Sequence, residues 1–180
     1  MKHVSRRTVL VGAGLVGLLS AGCMTKPMQP PNPDGTYCFA TGKWHSRKLT
    51  CTPTPIPPES VEVESKRFEP TPGLLTVYVV RKRWGDTVNP VQLRVDGGPT
   101  VVTTPESFVR MRMRPGLHTF AAAWSEGTAE LAVTGAAGDV RVVELVGSVW
   151  TWGSTYRLEH GDMAEGRTRV ARLRLVADVQ

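Results

Sequence analysis

Arg110, Arg112 and Arg114 are the side chains whose types and spacing most plainly offer chemistry. They alternate with Val109, Met111 and Met113, so on an extended strand the three guanidinium groups leave one face at intervals of roughly 7 Å. Arg81 and Arg83 repeat the spacing on an earlier run. If the two runs are neighbours, they form a positive stripe able to grip carboxylate or phosphate groups in bidentate fashion. The plainer alternative is that long arginines solubilise the outer face of a sheet and guard it against edge pairing. Either way, burying three unpaired charges is prohibitive. Strand periodicity therefore predicts Val109, Met111 and Met113 inside and the arginines in solvent.

Hydrolytic chemistry finds less support. A nucleophile, a base and an orienting acid are required, and there is no G-x-S-x-G elbow. His45, His118 and His160 fall in a loop, a strand and a turn, as surface or partly buried histidines would. Glu59, Glu62, Glu64 and Glu69 read as a solvated segment rather than a glycosidase pair. Gly12-Ala13-Gly14-Leu15-Val16-Gly17 is formally G-x-G-x-x-G. Cys23 and then Pro27, Pro30, Pro31 and Pro33 come after it, a run that no crossover helix accommodates. No catalytic residue, metal ligand set or cofactor is nominated. Trp150 and Trp152 lie on one side of an extended chain and, with Trp44, Trp84 and Trp124, frame either a carbohydrate or protein contact or simply core filling.

A basic start (Lys2, Arg6, Arg7) runs into an apolar stretch over residues 8–21, the pattern of an export signal occupying 1–22. The stretch is short of the roughly 20 residues that span a bilayer, and it carries Gly12, Gly14 and Gly17. Leu19-Ser20-Ala21-Gly22-Cys23 resembles the processing box of bacterial lipoproteins, with Leu19 one place further out than is commonest. That resemblance implies acylation of Cys23 (a palmitate-type modification) and, with Met24 rather than Asp next, residence in the outer membrane facing the periplasm if the envelope is Gram-negative. Ser5-Arg6-Arg7-Thr8-Val9-Leu10 also resembles a twin-arginine signal, and either export route stays open. Of the formal net charge of +6, three positive charges belong to the signal, which has no acids, so the mature chain is near +3. Modest charge and export both argue against a nucleic-acid partner.

Cys38 and Cys51 have 12 residues between them. In an oxidising compartment an even pair reads as a disulfide. A metal site using His45, or free thiols, are the alternatives.

The remaining 158 residues suffice for one domain with a core. Residues 23–36 are Pro-rich and predict a flexible, lipidated tether; 37–73 predict a Pro-rich, disulfide-looped extension. From 74 to 180, short β-like runs recur between turn residues, as in an antiparallel β-sandwich, Ig-like or related. Asp162-Met163-Ala164-Glu165 is a helix-start signal and predicts a C-terminal helix over 162–176, although Arg172-Leu173-Arg174-Leu175 also alternates like a strand.

Thr76-Val77-Tyr78-Val79-Val80-Arg81, Val95-Asp96-Gly97, Pro105-Glu106-Ser107-Phe108-Val109-Arg110 and Arg114-Pro115-Gly116-Leu117-His118 resemble, in order and spacing, bacterial lipoproteins grouped as domain of unknown function 2846. The resemblance spans residues 74–138 and implies a secreted, membrane-anchored β-sandwich without an assigned activity. Two function classes remain. One is a non-enzymatic envelope lipoprotein that binds an envelope protein or an anionic polymer; the other is an envelope hydrolase with catalytic residues assembled from scattered positions. A pocket holding a histidine against a carboxylate favours the second, and a flat arginine face with no pocket the first.

Overall fold

The computed structural model describes residues 28–41, 48–83, 89–150 and 152–180, with the backbone alone for Thr41, Lys82, Arg83, Val149 and Trp150. The signal, Cys23, Trp44, His45 and Trp84 lie outside the described residues, as does the side chain of Arg83. The chain is mainly β, with two short helices. In order, the elements are β1 (Cys38–Thr41), β2 (Lys48–Cys51), α1 (Glu59–Ser65), β3 (Leu75–Arg83), β4 (Val91–Val95), β5 (Val101–Thr103), β6 (Ser107–Met113), β7 (Gly116–Trp124), β8 (Gly127–Gly135), β9 (Val140–Trp150), β10 (Gly153–Gly161), α2 (Met163–Val170) and β11 (Arg174–Val179).

Two sheets share one apolar core. The four-stranded sheet, β5-β4-β7-β8, is antiparallel throughout; Val91, Leu93, Phe120, Ala122 and Val133 point inward from it. Opposite them stand Leu75, Val77, Val79, Val109, Met111, Val143 and Leu145 of the five-stranded sheet, β10-β9-β3-β6-β11. The expectation of purely antiparallel sheets is corrected here. The five-stranded sheet is mixed, because β3 runs parallel to β9 and β6 parallel to β11.

Its second face is also covered. Tyr78, Val80, Phe108, Val142 and Leu175 meet Phe68, just past α1, and Val170 of α2 in a second apolar cluster. Central strands buried on both faces lose the apolar/polar alternation of a solvated sheet, which is why Thr76-Val77-Tyr78-Val79-Val80 reads as a continuous β-run. Phe68 adopts a left-handed backbone (φ 56°) and stacks on Tyr78 with ring centroids 3.9 Å apart. Complete burial of that ring offsets the strain of the conformation.

The predicted C-terminal helix is half right. Asp162 caps α2, its carboxylate accepting from the Glu165 amide at 2.9 Å. The helix then ends at Val170, and the alternation at 172–175 belongs to the turn and β11. Pairing beside β6 wins over continued helix because it buries Leu175 and Val176.

Residues ahead of β3 are not an appendage. Tyr37 and Ile56 enter the main core, and β1 and β2 pair with Cys38 directly opposite Cys51. Those two cysteines are bonded, with Cα atoms 3.9 Å apart. Residues 28–36, part of the predicted tether, are held: Gly35 donates to the Asn32 carbonyl, and Arg174 Nη2 to the Gln29 carbonyl at 3.1 Å.

Candidate functional site

The arginine stripe keeps its predicted parity but not its exposure. Val109, Met111 and Met113 do face the main core, and Arg110 and Arg112 occupy the opposite face. That face is roofed by α1 and flanked by β11. Arg110 is only 4% exposed and grips two carboxylates at once. Its Nη1 and Nη2 donate to Glu64 at 2.8 and 2.7 Å, and Nε and Nη2 to Asp178 at 2.9 and 2.8 Å. Arg112 shares Asp178 at 2.9 Å. A register shift between Leu175 and Ala177 sets Asp178 directly opposite Arg110. The prediction of three solvated guanidinium groups is therefore corrected. Arg114 alone is exposed; Arg110 is buried because carboxylates distant in sequence neutralise it.

Arg81 is likewise interior, at 3% exposure on the core side of β3. Its Nη1 donates to the carbonyls of Asn89 and Thr103, and its guanidinium lies 5.5 Å from the Tyr156 ring centroid. The Arg81 head thus joins the two sheets. A parallel clasp holds α1: buried Glu62 accepts from Arg174 Nη1, the Leu175 amide and Lys66.

A histidine and a carboxylate do meet. His118 Nδ1 lies 2.6 Å from Asp96 Oδ2, and its Nε2 lies 2.8 Å from the Arg114 carbonyl oxygen. They border a hollow of about 200 Å³ with Val101, Met111, Arg112 and Met113. Burial pulls the His118 pKa down, but the hydrogen bonds to Asp96 and the Arg114 carbonyl outweigh it, and the net shift is upward. Both ring partners are acceptors, so the arrangement suits an imidazolium donating from both nitrogens. Neither nitrogen is left to take a proton from a nucleophile. No hydroxyl or thiol lines the hollow among the described residues. Asp96 is held too, since its Oδ1 accepts from the Thr119 amide at 2.8 Å. The dyad fastens the β4 and β7 ends together.

The larger cleft, about 430 Å³, opens where the β1–β2 hairpin meets the antiparallel sheet. Cys51 and Pro53 form one wall; Pro90, Gln92, Val102, Ala123, Trp124 and Ser125 form the other. Trp124 is fixed by its indole N–H donating to the Ser154 carbonyl at 3.1 Å and by a tilted contact with Tyr156. The disulfide positions one wall and β4, β5 and β7 the other, at a volume typical of ligand sites. None of these lining residues stands out in the sequence for this role except Trp124, because the cleft joins segments some 70 positions apart. Of the remaining candidate residues, Trp152 is exposed and His160 lies in solvent at the end of β10. Among the described residues no three His, Cys, Asp or Glu side chains converge as metal ligands would.

Compared with known proteins, the chain matches no family model and no curated protein at a significant level.

Proposed function

We propose that the chain is a non-enzymatic, lipid-anchored module of the bacterial cell envelope, facing the periplasm from the outer membrane, that binds a partner protein in the hairpin–sheet cleft. One observation carries the choice of partner: the described cleft lining is mostly apolar, with the Gln92 amide and the Ser125 hydroxyl and without a charged side chain. An anionic polymer needs cations at its site, and Arg81 and Arg110 are occupied inside the fold. A polypeptide segment fits better. Pro53, Pro90, Val102 and Trp124 supply apolar contact, and Gln92 offers both a donor and an acceptor to a peptide backbone.

The anchor rests on the processing box before Cys23 and on the short apolar stretch ahead of it. The two facing sheets are read as a β-sandwich with helices over one side, in keeping with the resemblance to domain of unknown function 2846. The hydrolase alternative is disfavoured by the occupied nitrogens of His118.

The test places a photo-crosslinking amino acid at Gln92 of the anchored protein in intact cells, with Thr134 at the far end of β8 as control. A discrete protein adduct from position 92, absent from 134 and abolished by Val102→Glu, is the expected result. Equal adducts at both positions, or none at 92, contradict the reading.

A further inference from the structure

We infer that the end of the fold from which Met28 emerges rests on the lipid surface, with the Trp152 side chain inserted among the headgroups. This rests on the Cys23 anchor proposed above. The register of the five-stranded sheet defines that end. Arg174 at the start of β11 pairs with Ser107 at the start of β6, and its guanidinium holds the Gln29 carbonyl. β3 is antiparallel to β6, with Val80 opposite Phe108, so the last residues of β3 lie at the same end. β9 is parallel to β3, with Gly147 opposite Arg83, and continues to Trp150, which pairs with Gly153. The β9–β10 turn, which carries Trp152, therefore points the same way as the chain entering at Met28. From Gly147 to Trp150 is three residues, so the turn projects about 10 Å past the end of β3.

The anchor's reach fits this placement. Only four residues separate Cys23 from Met28, five steps along the chain, a span of at most about 18 Å even fully extended. Across the sheet, the β9–β10 turn stands three to four strand spacings from β11, about 17 Å. A lipid on Cys23 thus holds this whole end within reach of the bilayer. Of the five large apolar side chains exposed among the described residues, Trp152 (89%), Leu49 (65%) and Met28 (38%) lie toward this end, while Val63 is on α1 and Leu117 at the opposite end. Trp152 is the most exposed of them. Leu49 lies two residues before Cys51, which stands near this end. The cleft that Cys51 lines with Gln92, Val102 and Ala123 opens on the outer face of the four-stranded sheet, beside the surface that meets the lipid. A fully exposed indole at a turn tip contributes nothing to the core, whereas at the headgroup level its apolar body and polar N–H are both accommodated.

The full-length protein, extracted from membranes, is reconstituted into phosphatidylcholine vesicles doped with lipid spin-labelled at a shallow acyl position. Subtracting the spectrum of Trp152→Phe isolates the Trp152 emission, and Leu117→Trp in that background reports from the opposite end, where Leu117 is 68% exposed. Both changes are at exposed side chains and should leave the fold intact. Expected are a blue shift and loss of most Trp152 emission with labelled lipid, and unchanged emission from position 117. Intact mass on the same sample reads the acyl group. An acylated sample with unquenched Trp152, or with equal quenching at 117, overturns the inference and leaves the anchor standing; a sample without an acyl group overturns both.

Discussion

Arg110 illustrates how a charge that looks solvated in sequence becomes structural. Its two carboxylate partners differ in exposure: the Asp178 side chain is 12% exposed and Glu64 51%. Arg110→Gln leaves Asp178 buried and under-paired, so chemical denaturation should show a loss of about 3 kcal/mol. Glu64→Gln breaks only the wetter half and should cost under about 1 kcal/mol. Hydrogen bonding from Arg110 holds the Glu64 carboxyl below its ordinary pKa. Its contribution is therefore present at neutral pH and fades as pH falls below the ordinary carboxylate range. His118 has the opposite sign. Its pKa is raised, so its stabilisation is complete below its ordinary value of 6.5 and is lost as pH climbs through the folded-state pKa. Stability measured across neutral pH should decline with rising pH in the wild type, and His118→Gln should flatten that decline. Parity on β6 was readable from alternation alone. The destination of the arginines was not, because it depends on Glu64 and Asp178, 46 and 68 positions away.

At the level of elements, α2 explains an apparent misfit in its own sequence. Gly166 lies inside the helix, where glycine costs about 1 kcal/mol relative to alanine. A Cβ there would sit 2.8 Å from Val142 Cγ2 and 2.9 Å from Val142 Cγ1, on a stiff β-branched side chain of β9. Gly166→Ala should consequently destabilise the protein in thermal unfolding, against the propensity scale, and Gly166→Ala with Val142→Ala should recover part of that loss. The start of α2 was legible because Asp162 and Glu165 act within one turn. Its end was not. The segment after Val170 carries both periods, and long-range pairing with β6 decides between them. The same applies to α1, which the run of glutamates disguised as a solvated segment although Glu62 is buried against Arg174 and Leu175.

For the molecule as a whole, the N-terminal hairpin joins the single body of the fold and forms half of the cleft. Reducing Cys38–Cys51 removes a constraint worth about 3 kcal/mol in the chain-entropy account. Cys38→Ser with Cys51→Ser should lower the melting temperature and weaken crosslinking from Gln92 together, because Cys51 is itself part of the cleft wall. The β-rich character and this cysteine pair were visible in the linear chain, through short runs between turns and an even cysteine count. The mixed sheet was not visible, since parallel pairing of β3 with β9 and of β6 with β11 joins segments separated by whole strands. The proposed attachment of this body to a membrane through Cys23 is read by the intact mass of the protein extracted from its own membranes. A mass corresponding to residues 23–180 plus acyl chains is the result expected, with the chains lost in Cys23→Ala. A retained signal segment, or a mature chain with an unmodified Cys23, would contradict it.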